Sequence, residues 1–191
     1  MSNQTELSPE TITKEIHQWL DQVVIGLNLC PFASAPYKKQ QIRIEVTDCD
    51  NQTCLVYKLE DELKKLAETP VEELETTLLV IPETLHDFYD YNDFLDIAES
   101  IIEENDYMGV FQIASFHPKY QFAGTKPGDN ENLTNRAPYP ILHLLREESL
   151  EKAVAHYANP EEIPGRNIET VEGLSEEQKI NLFPYLFKQT E

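Results

Sequence analysis

Residues Ser115 to Arg146 read S-F-H-P-K-Y-Q-F-A-G-T-K-P-G-D-N-E-N-L-T-N-R-A-P-Y-P-I-L-H-L-L-R. The stretch leaves an apolar run, Val110 to Phe116, that predicts a core strand. It then shows neither helical nor strand periodicity until alternation returns at Ile141. A compact domain rarely carries so long an irregular connection unless it binds or reacts with something. It also holds two of the five histidines, His117 and His143, which makes it the first place to look for a site.

Working outward, the strand after the loop, Ile141 to Leu145, has a counterpart in Thr76 to Ile81, T-T-L-L-V-I, apolar on both faces and stopped by Pro82. Ile42 to Val46 alternates, with Arg43 and Glu45 on a second face expected to meet water, and predicts a strand near a sheet edge. Helical spacing falls between these strands. Val56, Leu59, Leu63 and Leu66 mark one helix, and Leu85, Phe88, Leu95, Ala98 and Ile102 mark another ending near Asn105. Ser8-Pro9-Glu10 opens a first helix through Ile12, Ile16, Trp19 and Val23, and Cys30-Pro31 closes it. Ser149 offers a start for a later helix, Pro164-Gly165 would interrupt the next one, and Ser175 to Gln178 has a capping-box pattern. The fold class expected is α/β (or α+β): a small, mostly parallel sheet of about four strands packed with helices, with the long loop after the third strand. Ligands of such sheets gather beyond the carboxyl ends of the strands, where this loop begins.

The chain has 191 residues, 40% of them hydrophobic and 26% charged, and a formal net charge of -20. One domain over 1–191 is expected, with a flexible tail at 1–7 and a helical C-terminal extension at 174–191. The acidity argues against nucleic-acid and anionic-membrane partners, which need clustered lysine and arginine. No apolar run is long enough to span a bilayer, and Met1 to Glu10 lacks a secretory pattern. Three cysteines, Cys30, Cys49 and Cys54, form no disulfide framework, so the cytoplasm is the expected location. Oligomeric state is not legible.

Continuing the third strand's alternation puts Ser115 and His117 on one face at its end, where an imidazole can act as general acid or base. His143 on a strand points with Ile141 and Leu145 while Arg146 faces away. On a helix His143 and Arg146 would be neighbours. Cys30 is either a small buried hydrophobe or a nucleophile whose thiolate a nearby histidine supports. Lys119, Lys126, Arg136 and Arg146, with Lys38, Lys39 and Arg43, make the sizeable positive islands of an acidic chain. If they converge, they form a pocket for a small anion, with Tyr120, Gln121, Asp129 and Asn135 supplying directional groups. No phosphate-loop or dinucleotide fingerprint is present, and no cofactor is indicated.

The segments Asn28 to Phe32 (N-L-C-P-F), Tyr91 to Phe94 (Y-N-D-F), Ser115 to Thr125 and Asn135 to Glu147 resemble the bacterial family catalogued as domain of unknown function 1415. The resemblance runs from Trp19 to about Val171, within a family-like core of 8–173, and implies no activity. Cys30, Pro31, His117, Pro118, Tyr120, Gln121, Asn135, Arg136, Pro138, Tyr139, His143 and Arg146 occupy its motif positions, whereas Cys49 and Cys54 do not.

Three readings follow. The first is an enzyme acting on a small anionic metabolite, with His117 as acid or base, Arg136 and Arg146 as clamps, and His143 and Cys30 as supporting or nucleophilic groups. The second is a hydrolase with zinc or iron held by His117 and His143. The third is a non-enzymatic module that binds through the acidic helix face from Asp87 to Glu103.

Overall fold

The computed structural model describes residues 8–187. The expected tail at 1–7 and the last four residues of the C-terminal extension lie outside them. Helix α1, Pro9–Trp19, starts where Ser8 accepts from the Thr11 N–H, and it continues as a π-helical segment, Leu20–Ile25. The wider turn ends with the Leu29 N–H reaching back to the Val24 carbonyl at 2.9 Å. A short helix α2, Ser34–Lys38, leads into β1, Ile42–Val46. Then come α3, Gln52–Glu68; β2, Thr76–Val80; α4, Phe88–Glu104; and β3, Phe111–Phe116. A 3-10 helix, Asn130–Asn135, lies inside the loop before β4, Ile141–Arg146. Helices α5, Glu147–Ala155, α6, Ile163–Glu172, and α7, Glu176–Leu182, close the chain.

The four strands form one open sheet in the order β1-β2-β4-β3. The mixed α/β class and strand count are as expected, but the mostly parallel sheet is not. Only β1 and β2 run parallel; β4 lies antiparallel to both β2 and β3. The long loop therefore returns the chain beside the strand it just left, an antiparallel connection that needs no crossover helix.

Each face of the sheet carries its own core, because successive strand residues point to opposite sides. Leu79, Phe111, Ile113, Leu142 and Leu144 pack against α3 and α4. Leu78, Val80, Ile141, Ile44 and Phe116 pack against α1, its π-helical extension and the C-terminal residues Val171 and Phe183. Arg43 and Glu45 on β1, expected to meet water, instead join Lys58 and Glu62 of α3 in an ion-pair network, and Glu62 is buried. Burial there is tolerated because the carboxylate is paired and hydrogen-bonded.

Three local expectations are corrected. Pro164 and Gly165 lie inside α6, since a proline in the first turn gives up an N–H that has no helical partner anyway. Helix α5 begins at Glu147, directly from β4, rather than at Ser149. Cys49 and Cys54 are joined by a disulfide, although no framework spacing predicts it. Among the described residues no helix is long and apolar enough to cross a membrane.

Candidate functional site

The loop from His117 to Pro140 is held by its own polar side chains. His117 is fully buried, its Nε2 donating to the Leu85 carbonyl at 3.0 Å and its Nδ1 accepting the Lys119 N–H at 2.9 Å. Those partners fix the neutral tautomer with the proton on Nε2. Phe88 and Tyr91 of α4 pack on the ring. Burial lowers the His117 pKa to about 4, against the pull of the Leu85 carbonyl, which favours the proton.

The other loop residues are engaged in the same way. Asn132, also fully buried, accepts from the Phe122 N–H and the Thr125 hydroxyl and donates to the Lys126 carbonyl. Asn135 donates to the Ser115 carbonyl, Gln121 to that of Thr125, and Asp129 accepts the Lys126 N–H. The Ser115 hydroxyl stands 3.4 Å from that of Tyr120.

The Arg136 guanidinium donates to the carbonyls of Tyr120 and Pro127. Its own carbonyl accepts from Trp19 Nε1 and the Tyr185 hydroxyl, each at 3.1 Å. Arg146 gathers the carbonyls of Leu66, Thr69 and Leu74 at the end of α3 and lies over the Phe111 ring. Among the described residues Arg136 shares no cavity with either histidine, and Arg146, although it lines the same cleft as His143, has its guanidinium committed to backbone carbonyls. The expected clamps are bound to backbone carbonyls, which satisfies the loop and the C-terminus of α3.

His143 is on the opposite side of the sheet from His117. It points with Ile141 and Leu145, as strand geometry requires, while Arg146 faces α3. Two imidazoles on opposite faces cannot share an ion, and both His117 nitrogens are occupied, so a His117/His143 metal centre does not fit this geometry. Among the described residues no group of three or more His, Cys, Asp or Glu is arranged to hold a metal ion.

The His143 side opens into a cleft of about 460 Å³. Its sheet wall is Ile42, Leu78, Ala114, Phe116, His143 and Leu145. Trp19, Leu20 and Val24 of α1 and the π-helical segment form a second wall, and Leu150 and Ala153 of α5 form a third. Cys30 and Phe32 approach from the turn that ends the first helix, while Lys39, Glu75 and Lys152 border the mouth. Trp19 meets Phe116 edge-on, ring centroids 5.2 Å apart, so the carbonyl of Arg136 that holds the indole also sets one wall of the cleft. The Arg136 motif residue thus acts on the cleft from behind.

Two groups in this apolar lining carry chemistry. The His143 ring makes no hydrogen bond among the described residues; its one ring contact is Phe116, at 6.2 Å. Burial lowers its pKa to about 4, so it is neutral at physiological pH. Cys30 is the free cysteine, and burial pushes its thiol up, against the backbone N–H groups of Phe32 and Ala33, which pull it down. Of the residues expected at a site, Cys30, His143 and Arg146 border the cleft. His117, Ser115, Tyr120, Gln121, Asp129, Asn135 and Arg136 do not. Sequence reading missed the apolar walls, because an amphipathic stripe such as Ile12, Ile16 and Trp19 records which face is buried, and not that it stops short of filling the space beside it.

The chain is thus a mixed α/β protein with one antiparallel-rich sheet and a histidine- and cysteine-bearing cleft on one of its faces. It belongs to the family described as "Protein of unknown function (DUF1415)", whose model matches residues 11–181. No curated protein and no solved structure matches the chain.

Proposed function

We propose that the protein binds a small, largely apolar molecule in the cleft between its first helix and the sheet, with neutral His143 as the polar group that orients it. The observation that carries this reading is an imidazole without a hydrogen-bond partner in an apolar wall. The ring is part-exposed in the cleft wall rather than sealed in the core, so its nitrogens are open to a ligand that offers a donor or acceptor. The volume of about 460 Å³ supports the same reading, since ligand sites commonly enclose roughly 300–1,000 Å³ with few polar groups. A π-helical segment forming one wall is a further supporting feature, because such segments recur at functional sites.

The small anionic ligand expected from the positive islands is retained in amended form. Lys152 is already paired with Glu148, which leaves Lys39 beside Glu75 at the mouth, so an acidic group of the ligand belongs at the solvent end near Lys39 and its apolar body belongs inside.

The test is saturable binding of a fluorescent apolar probe, anilinonaphthalene sulfonate, to the full chain. Ala114→Phe and Ala153→Phe fill the cleft from the sheet and from α5. Both should abolish one-to-one binding while leaving the circular dichroism spectrum unchanged. Undiminished binding in both variants would place the probe elsewhere and remove the cleft from consideration.

A further inference from the structure

Resting on the reading that the cleft takes an apolar small molecule, we infer that α5 is a hinged lid over that cleft, latched where Tyr157 meets Phe32 and Arg166, and that ligand passes when the latch opens. Leu150, Ala153, Val154 and Tyr157 recur at helical spacing and give α5 and the turn after it one apolar face. Such a stripe is ordinarily sealed in a core, as α3 and α4 seal theirs. Helix α5 instead buries no residue, and these four side chains stay half-exposed. Leu150 and Ala153 line the cleft, so the inner face of α5 borders open space.

The two ends of α5 are held differently. At its start helix follows strand with no loop between, Arg146 ending β4 and Glu147 opening α5. Arg146 is pinned by the carbonyls of Leu66, Thr69 and Leu74, and the Glu147 N–H donates to the Val110 carbonyl at 2.9 Å. That end is a fixed pivot. At the other end the helix closes at His156, and Asn159 takes the left-handed conformation at φ 54° before a 3-10 helix, Pro160–Glu162. Asparagine visits that region readily, and a turn of this kind is where a hinge absorbs motion.

An aromatic contact holds the free end. Tyr157 meets Phe32 edge-on, ring centroids 5.4 Å apart, and the Arg166 guanidinium lies over the Tyr157 ring at 5.7 Å. Phe32 stands on the firm side. It lines the cleft, and the turn before it is tied to α6 by the Asn167 amide, which donates to the Leu29 carbonyl at 2.6 Å. Arg166 Nη2 is buried with no hydrogen-bond partner among the described residues, so the Tyr157 ring is the partner its cation has. An aromatic pair with a cation over one ring favours a closed state over an open one by about tenfold, enough to hold and little enough to release.

The mouth lies along this moving edge. Lys152 borders it from α5, while Lys39 and Glu75 border it from the starts of β1 and β2. Swinging α5 outward widens the opening, and swinging it back closes Leu150 and Ala153 on the apolar body of the ligand.

The experiment follows anilinonaphthalene sulfonate binding to the full chain by stopped-flow fluorescence, comparing wild type with Tyr157→Ala, Arg166→Met and Tyr157→Phe. Tyr157→Ala releases the latch in free and occupied protein alike, so the association and dissociation rate constants should both rise about tenfold while Kd stays within about twofold. Arg166→Met should move both rates in the same direction, and Tyr157→Phe, which keeps the ring, should restore wild-type rates. Hydrogen exchange of wild type needs no variant: probe binding should slow the amides of α5 more than those of α4. Should Tyr157→Ala fail to fold, the Arg166→Met rates and the exchange decide. Unaltered rate constants, a changed Kd with an unchanged association rate, or α5 exchange indifferent to bound probe overturns the lid while the cleft reading stands. If wild type does not bind the probe, the cleft reading falls and the lid with it.

Discussion

The imidazole of His117 donates to the carbonyl of Leu85 at 3.0 Å, and Leu85 is a buried leucine in the left-handed region, at φ 57°. A leucine held there costs about 1–3 kcal/mol, and the surrounding contacts must fix it. His117 is the contact that does so, joining the start of α4 to the end of β3. The histidine most exposed to a catalytic reading is a fastener between two elements.

Replacing that fastener should therefore act on stability. His117→Ala orphans the Leu85 carbonyl and the Lys119 N–H and is expected to lower unfolding stability by roughly 3 kcal/mol in urea titration. Probe binding at the cleft should persist below the unfolding transition, because the cleft is on the other face. A near-neutral His117→Ala would mean that Leu85 holds its conformation unaided.

Acid should loosen the fold through His117, which is fully buried, and through His143 in the cleft wall. Each is neutral in the native state with a pKa lowered to about 4 by burial, whereas in an unfolded chain histidine titrates near about 6.5. Between those values the unfolded chain binds more protons, so stability rises with pH across the window. It is fully present above about pH 6.5 and is lost as pH falls toward 4, with His117 contributing roughly 3 kcal/mol of the change. Denaturant midpoints measured from pH 7 to pH 4 should fall less steeply in His117→Gln and in His143→Gln than in wild type.

Arg146 supplies a sharper contrast between charge and shape. Its planar guanidinium engages them from two nitrogens held in a fixed fork, Nη2 toward the carbonyls of Leu66, Thr69 and Leu74 and Nε toward Leu74, a spread that the one nitrogen of a flexible lysine does not reproduce. Arg146→Lys keeps the charge but should cost about 2 kcal/mol of stability, seen as a lower melting temperature. An anion clamp would instead tolerate lysine and lose ligand affinity on neutralisation.

The Cys49 to Cys54 bridge closes a short loop just before and into the first turn of α3, with Asn51 capping the helix between them. Constraining so short a loop is worth about 2 kcal/mol through the unfolded chain. Reductant should lower the melting temperature of wild type and leave the Cys49→Ala/Cys54→Ala double variant unmoved. Equal response in both would show that the bridge contributes nothing to stability.

How much of this was legible varies with the range of the interaction involved. Ser8 before Pro9 and Ser175 with Gln178 mark true helix starts, because capping is settled within four residues. Strand positions were also readable, and the strand parity of His143 follows from them. Strand direction was not, since T-T-L-L-V-I is equally apolar in a parallel or an antiparallel neighbourhood. The arginines misled for a related reason. Arg136 and Arg146 are matched by backbone carbonyls, which every residue owns and no sequence displays. Cys30 and His143 stood out as reactive types, but their shared cleft depends on how far α1 stands from the sheet.

The strand order β1-β2-β4-β3 has one more consequence, for the history of each molecule. The last strand made lies between the second and third, so β3 joins the sheet only through β4. Until Arg146 has left the ribosome, the earlier strands form no more than a two-stranded ribbon, and the pairing that completes them spans long stretches of chain. The cleft wall of Leu78, His143 and Ala114 is built across that final insertion. A nascent chain therefore cannot acquire the sheet wall of the cleft gradually; that wall exists only once the last strand is in place.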